Sequence, residues 1–291
     1  MPGLPIDTTP LPPNFPQDFL PDRSLLARLL GYAERNGTGN MVEICAATGI
    51  PTGVRTGKVT PMIHYARGMG LVTAERARGR WHLHLSSLGE VVYAQDRYLD
   101  EAVTLWTLHL LLCRRAGLTS PARGIADPWF ALFAEGGIRL GNPFERSAYR
   151  EFLSERQGPK GYLRSLSGLV LRSYTEASCL AATNVLSVVG RDVYCRHPAP
   201  DDRSCFPAYT LALLMAWDVV YPSDRQVSLD QLYQESRLLN ILDWKPAQSE
   251  HWLAWMVNRG VLGLDRLTGG TMALRLQGTD VAVRGLYGEL L

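Results

Sequence analysis

The segment from residue 24 to residue 95 has an apolar spacing that predicts three helices and then a pair of strands. Leucines recur at helical spacing at its beginning, and a glycine-containing stretch then ends this first helix. Asn40 and Glu43 stand three residues apart, as in a capping box, and predict the start of a second, short helix. Because a proline fits only the first turn of a helix, Pro61 predicts that the third helix begins near Thr60.

Two strand-like runs follow the third helix, and Arg78 and Gly79 between them predict a hairpin turn. In the second run Trp81, Leu83 and Leu85 alternate with polar residues, so one face of that strand should be buried. Three helices, a hairpin and a closing helix follow one another in the order of a winged helix-turn-helix. The sequence therefore predicts a winged helix domain over residues 23–98.

The remaining chain divides into three regions. Residues 1–22 contain seven of the 18 prolines, so we expect an extended segment that docks at most partly, through Phe15 and Phe19. Residues 99–206 show helical spacing and predict a helical middle domain. Residues 207–291 predict further helices and a closing hairpin, in the order of a second winged-helix-like domain. The predicted fold class is mainly α, with winged-helix modules at both ends.

Composition places the chain in the cytoplasm. The 291 residues are 46% apolar, which is enough to form real cores, and the five cysteines are odd in number, as is typical of a reducing compartment. The first 22 residues lack the apolar centre of a signal peptide. No apolar run approaches the roughly 18 residues that a membrane span needs, so no membrane association is expected.

Basic residues concentrate between residues 55 and 84, in the predicted third helix and hairpin. Six lysines and arginines stand there against one acid, although the net charge of the whole chain is only +2. A winged helix places its third helix in the major groove of double-stranded DNA and its hairpin against the backbone. We therefore predict that side chains of the helix reach base edges and that the hairpin arginines contact phosphates. The predicted nucleic-acid-binding residues are Arg55 and Lys58 before the helix, His64 and Arg67 on it, and Arg76, Arg78 and Arg80 in the hairpin.

Two observations weigh against a simple assignment to DNA. Exposed hairpins are often basic whatever they bind, and winged helices also dock proteins. In addition, the second predicted module carries four basic and three acidic residues between residues 243 and 276, a near balance of charge. We expect that module to bind a protein or to pack internally.

The sequence offers no chemistry that predicts catalysis. Residues Gly53–Lys58 hint at a phosphate-binding loop, but only three residues separate the two glycines, where the motif needs four, and Val59 replaces the hydroxyl that holds magnesium. Signatures of hydrolases are missing. We expect no enzymatic activity, no cofactor and no metal. Four candidate zinc ligands lack the paired spacing of known zinc motifs; they are Cys179, Cys195, His197 and Cys205.

Seven short motifs stand in a characteristic order along the chain: Gly39–Val42, Gly57-Lys58, Gly70–Val72, Ser87–Glu90, Thr104–His109, Trp129-Phe130 and Leu171–Tyr174. Together they resemble domain-of-unknown-function family 4007. The resemblance covers most of residues 15–290 and is best between residues 37 and 135, where the order and spacing of the motifs agree. The first 22 residues depart from the family, since Phe19–Asp22 replaces an aromatic and arginine-containing stretch.

The resemblance implies a role beside sulfotransfer enzymes and cysteine desulfurases, in DNA phosphorothioation or a related anti-phage system of bacteria and archaea. It implies no catalytic residues. We therefore expect a non-enzymatic DNA-binding or adaptor subunit, with double-stranded DNA and the sulfotransfer or other enzymes of the same system as partners. A protein-interaction scaffold without DNA binding and a transcriptional repressor of its own operon stay open as alternatives, and so does homo-oligomerisation.

Overall fold

The computed structural model of the chain describes residues 4–53, 57–267 and 270–290. Helices form where apolar side chains recur every three or four residues, and strands form where they alternate. The helices are α1 (Arg23–Glu34), α2 (Met41–Thr48), α3 (Val59–Gly68), α4 (Ser87–Gln95), α5 (Ala102–Cys113), α6 (Asp127–Phe130), α7 (Gly136–Arg139), α8 (Arg146–Gln157), α9 (Leu163–Arg172), α10 (Phe206–Val220), α11 (Leu229–Ser236), α12 (Leu238–Leu242), α13 (Pro246–Asn258) and α14 (Thr279–Arg284). A π-helical turn, Ala131–Glu135, links α6 to α7.

The strands form three small antiparallel sheets. Their orders are β1-β3-β2, β4-β6-β5 and β7-β9-β8, so in each sheet a hairpin is joined on one side by a short extra strand. The strands are β1 (Thr38–Gly39), β2 (Val72–Ala77), β3 (Arg80–Leu85), β4 (Phe144–Glu145), β5 (Leu186–Gly190), β6 (Val193–Arg196), β7 (Gln226–Ser228), β8 (Leu262–Leu267) and β9 (Gly270–Arg275).

The predicted fold class is wrong. The chain is an α/β protein with 49% helix, 16% strand and three antiparallel sheets, and it is not a mainly α protein with winged-helix modules. One reason is length, because β1, β4 and β7 have only two or three residues and cannot show alternation. The other is the β5–β6 hairpin, which lies in the middle region that was predicted to be helical.

Local sequence signals in the N-terminal part predict the start of α2 and the β2–β3 turn where the structure has them. The capping box at the start of α2 is confirmed, since the side chain of Asn40 accepts the backbone N–H of Glu43, and that of Glu43 accepts the backbone N–H of Asn40. The hairpin turn between β2 and β3 is also confirmed, and both Arg78 and Gly79 have positive φ there. Helix α4 begins at Ser87, and the side chain of Ser86 caps it by accepting the backbone N–H of Gly89.

The proline-rich N-terminal segment docks against the protein more closely than its composition suggests. Leu11 and Phe15 are buried, and the backbone N–H of Leu11 donates to the carbonyl of Ile125. The ring of Phe15 packs on Tyr65 of α3 and on Trp129 of α6, at centroid distances of 5.0 and 5.6 Å. This segment therefore covers part of helix α3.

Helices α5 and α10 form the centre of one continuous core. Every residue of α5 from Val103 to Cys113 is buried, and α10 packs along it. His109 lies in this core, where Nδ1 is 2.7 Å from the hydroxyl of Tyr174 and burial lowers its pKa to about 3. Among the described residues, no helix has both the length and the apolar character that crossing a bilayer requires.

Candidate nucleic-acid interface

The tip of the β2–β3 hairpin brings three of the predicted DNA-binding arginines together. Arg78 lies in the turn, and the register pairs Arg76 with Trp81 and Ala77 with Arg80. Because paired residues of antiparallel strands share a face, Arg76 lies on the side of Trp81 and Arg80 lies on the opposite side. The three arginines thus surround the hairpin tip, and a strand of nucleic acid that contacted all of them would cross it.

Arg76 and Arg78 differ from Arg80 in having no acidic partner among the described residues. Both are exposed, and within the described residues neither makes an ion pair. The guanidinium of Arg76 lies 5.6 Å from the ring centroid of Trp81, within the range of a cation–π contact. Arg78 lies at the outermost point of the turn. These two side chains can donate to phosphate oxygens without first losing a partner.

Arg80 is partly neutralised by Glu43 of α2. One guanidinium nitrogen of Arg80 lies 2.9 Å from Oε2 of Glu43, and both side chains are nearly half exposed. The backbone N–H of Asn40, and after it the guanidinium of Arg80, lower the pKa of Glu43. A phosphate that approaches Arg80 has to compete with this carboxylate, so Arg80 should contribute less than its two neighbours.

Arg67 is held by the N-terminal segment. Its Nε and Nη2 donate to Oδ2 of Asp7 at 2.9 and 2.7 Å, and the two side chains are only 13% and 17% exposed. Burial alone would raise the pKa of Asp7, but the N–H of Thr9 and the guanidinium of Arg67 outweigh it and lower that pKa. Reaching a base edge would require Arg67 to leave this pair, at the cost of an unpaired and largely buried carboxylate.

His64 lies between the N-terminal segment and the sheet. Its ring makes edge contacts with Phe15 at 6.1 Å and with Trp81 at 5.7 Å, between ring centroids. Burial, together with the charges of Arg67 and Arg76, lowers its pKa to about 4. His64 is therefore neutral at pH 7 and adds no positive charge to the interface.

The two remaining predicted residues precede α3. Lys58 is partly exposed, and its Nζ lies 6.0 Å from the ring centroid of Phe19. Arg55 lies outside the described residues. Of the seven predicted residues, Arg76, Arg78 and Arg80 thus lie together at one hairpin tip. The face of α3 on which base contacts were predicted is partly buried.

Two acids that no sequence pattern revealed as partners of these cations, Asp7 and Glu43, decide which of the cations are free. Asp7 lies 60 residues from Arg67 in a proline-rich segment, and no local pattern marks such a pair. Glu43 was identified only as part of a capping box. Its second partner, Arg80, is 37 residues away and becomes visible only when α2 and β3 are placed side by side.

The candidate zinc ligands do not form a metal centre. Across residues 4–53, 57–267 and 270–290, no three His, Cys, Asp or Glu side chains lie close enough together to hold a metal ion. Cys179 and Cys205 are buried, and Cys195 on β6 is partly buried. His197 is 2.7 Å from the hydroxyl of Ser187, which occupies its Nε2 atom.

Comparisons with known proteins identify the fold. No family model matches the sequence, and no curated protein matches it. Two solved structures named SspB are similar over 95% of this chain and 87% of theirs. The magnesium-bound one has a TM-score of 0.71 at 14% identity, and the other has a TM-score of 0.70 at 15% identity. At this identity the likeness shows that this chain and SspB share a fold.

Proposed function

We propose that this chain is a DNA-binding subunit that contacts the phosphate backbone of duplex DNA through the tip of the β2–β3 hairpin. The observation that carries the proposal is the pair of exposed arginines at this tip, Arg76 and Arg78, which have no ion-pair partner among the described residues. Guanidinium groups match phosphate oxygens in shape and charge, and each phosphate they neutralise releases counterions from the duplex.

The contact should not depend on base sequence. Base readout in the major groove needs an exposed helix or ribbon face that enters the groove. Helix α3 offers no such face, because the residues of its polar side, Thr60, His64 and Arg67, are at least partly buried. Phosphate contacts position a protein on DNA and carry no direct sequence information. This argues against the repressor alternative, which requires recognition of one operator.

The proposal extends to a modification or anti-phage system of the phosphorothioation type. The resemblance to family 4007 implies such a system, and the fold shared with the structures named SspB is consistent with it. In this role the chain holds DNA while sulfotransfer or other enzymes of the system act on it, and it has no catalytic function of its own.

A protein-interaction scaffold without DNA binding is the second candidate. Val188 and Val189 on β5 are 57% and 56% exposed and adjacent in sequence. Exposed neighbouring valines at a hairpin favour contact with another protein surface. A scaffold would use this surface and leave the hairpin arginines in solvent.

Binding of a short random-sequence duplex, followed by fluorescence anisotropy at low salt, separates the two candidates. The double variant Arg76→Gln, Arg78→Gln should bind at least about tenfold more weakly than the wild type, since two charged hydrogen-bond donors are lost. The matched control is Arg225→Gln, Arg266→Gln, which removes the same charge from exposed positions near β7 and on β8. Equal binding by the wild type and the hairpin variant, or no binding by either, would overturn the proposal and favour the scaffold.

A further inference from the structure

Four arginines converge on one pocket that lies apart from the β2–β3 hairpin. The pocket has a volume of about 400 Å³ and opens between the first turns of α8, the start of α9 and the turn of the β5–β6 hairpin. Besides the arginines it is lined by Glu145, Ser147 and Asp192. The arginines are Arg146 and Arg150 on α8, Arg164 on α9 and Arg191 in the hairpin turn.

Stability does not explain this arrangement. Arg146 and Arg150 are four residues apart on one helix, a spacing at which like charges repel. Within the part of the chain that the structure describes, the side chains of Arg150, Arg164 and Arg191 are exposed and make no ion pair. Three free guanidinium groups around one concavity raise the energy of the empty pocket, and a bound anion would lower it.

Arg146 is fixed in place at the inner side of the pocket. Its Nη2 donates to the carbonyl of Arg164 at 2.8 Å, and its Nη1 lies 3.8 Å from Oδ1 of Asp192. Its backbone N–H donates to the carbonyl of Asp192 at 2.9 Å, which ties the start of α8 to the hairpin turn. The guanidinium therefore keeps one orientation before any ligand arrives.

Gly168 on α9 provides the space that Arg146 needs. A Cβ atom at this position would lie 2.6 Å from Nη2 of Arg146, which is closer than real contacts allow. A glycine inside a helix costs about 1 kcal/mol relative to alanine. Helix α9 thus has a helix-destabilising residue at the position where the side chain of Arg146 passes over α9.

The acids of the pocket are too few to neutralise it. Glu145 accepts a hydrogen bond from the hydroxyl of Ser147 at 2.9 Å, and its side chain makes no capping bond to α8. Of the four pocket arginines, only Arg146 lies within ion-pair distance of Asp192. Four arginines against two carboxylates leave an excess of positive charge. The positive end of the 12-residue helix α8 adds to it.

We propose that this arginine pocket binds a phosphate group. Planar guanidinium groups from three directions can donate paired hydrogen bonds to the oxygens of one tetrahedral phosphate, a geometry that lysines or a flat surface cannot provide. The phosphate can belong to a nucleic acid strand or to a small phosphate ester, because both present the same oxygens. The proposal does not depend on DNA binding by the β2–β3 hairpin.

The test compares the pocket variant Arg150→Gln, Arg164→Gln, Arg191→Gln with the control Arg203→Gln, Arg225→Gln, Arg266→Gln, whose residues are exposed and lie outside the pocket. The readout is the rise in melting temperature with inorganic phosphate over chloride at equal ionic strength. The wild type and the control should respond alike, and the pocket variant should need at least about tenfold more phosphate. No response of the wild type, or equal responses of all three, would overturn the proposal.

Two further probes distinguish the source of the phosphate. Adenosine monophosphate represents a small ester, and a short duplex represents a strand; the duplex is measured in the Arg76→Gln, Arg78→Gln background so that hairpin binding does not contribute. Loss of duplex binding by the pocket variant supports a strand as the source. Loss of nucleotide binding alone supports a small ester.

Gly168→Ala provides a second variant that keeps every pocket charge. The added methyl group should displace the guanidinium of Arg146 and weaken phosphate binding several-fold, although alanine favours the helix. Circular dichroism checks that the fold is retained. Unchanged phosphate binding by this folded variant would contradict the role assigned to Arg146.

Discussion

Two parts of the chain repeat one arrangement but present different surfaces. The N-terminal unit, α1 to α4, and the C-terminal unit, α10 to α14, both have a short strand, helices, a hairpin and a closing helix. Their sheets have matching orders, β1-β3-β2 and β7-β9-β8. The helix that precedes the hairpin is α3 in the first unit and α13 in the second. These helices and hairpins differ in how much of their surface is exposed and in which of their charges are paired.

The two helices differ in how much of them is covered. Helix α3 has no exposed residue, because the sheet, α5 and the N-terminal segment surround it. Helix α13 buries Ser249, Trp252 and Met256 but exposes a face that includes Glu250 and Val257. The unit with the basic hairpin thus has a covered helix, and the unit with the exposed helix has no comparable basic hairpin.

Several cations of the C-terminal unit form ion pairs, while others are exposed. Arg275 of β9 forms an ion pair with Asp218, and Arg259, after α13, forms one with Glu289. In the N-terminal unit, Arg76 and Arg78 have no such partner among the described residues. The two units therefore share a sheet order but differ in which of their arginines are paired. Which of the two units could bind DNA depends on these pairs and not on the fold.

The largest expected effect is on the free energy of unfolding, when the side chain that packs on α3 from the N-terminal segment is removed. Phe15 is 4% exposed and packs on Tyr65 and Trp129, so Phe15→Ala should lower the free energy of unfolding by about 3 kcal/mol. Urea denaturation measures the change. The matched control is Val257→Ala on α13, which is 39% exposed and should cost less than about 0.5 kcal/mol. Equal costs for both would mean that the N-terminal segment does not cover α3.

The next effect concerns His64, which lies under the same segment. Its pKa is about 4 in the folded chain against 6.5 in the unfolded chain, so the unfolded state binds more protons between these values. The stabilisation is present above pH 6.5 and is lost as the pH falls toward 4. Between pH 7 and pH 5 the wild type should lose about 2 kcal/mol more than His64→Gln.

Urea denaturation of both proteins at the two pH values measures this difference. His109 has a lowered pKa as well and contributes to both proteins alike, so only the difference between them reports on His64. An NMR titration in which the ring of His64 protonates between pH 6 and 7 would contradict its placement under the N-terminal segment.

The smallest expected effect sharpens the role of Arg80. Glu43→Gln removes the carboxylate that pairs with Arg80 and can keep the capping box, because glutamine accepts the backbone N–H of Asn40 as glutamate does. Affinity for duplex DNA should rise about two- to fivefold, in line with the modest strength of surface ion pairs. Glu250→Gln on α13 is the control and should leave affinity unchanged. A fall in affinity for Glu43→Gln would show that the pair orders the hairpin for binding.

Local signals in the sequence were enough to locate most elements of the N-terminal unit. The capping box at Asn40 and the turn at Arg78 and Gly79 each depend on residues that are neighbours in sequence, and both are confirmed. Pro61 also gave the start of α3 to within one residue, since the helix starts at Val59 and not at Thr60.

Long-range contacts could not be predicted in this way. The polar side of α3 looked exposed because His64 and Arg67 lie off the apolar stripe, yet Asp7 and Phe15 cover it. The fold class failed for the same reason. Strands of two or three residues such as β1 exist only because a hairpin accepts them at its edge, and no periodicity can show within so few positions.

One feature of the arginine pocket is visible in the sequence. Arg146 and Arg150 are like charges at helical spacing, a pattern that costs stability and therefore suggests another role. Arg164 and Arg191 join them only through the packing of α8, α9 and the β5–β6 turn. The sequence pattern could therefore have indicated Arg146 and Arg150 as unusual, but it could not have predicted the pocket.

The salt dependence of DNA binding tests the central claim most directly. Each phosphate contact contributes roughly −0.9 to the slope of log affinity against log salt on duplex DNA. If Arg76 and Arg78 contact phosphates, the slope of the Arg76→Gln, Arg78→Gln variant should be flatter than that of the wild type by about two. Circular dichroism confirms that the variant is folded. A folded variant that binds duplex with the slope of the wild type would show that the hairpin tip does not contact DNA.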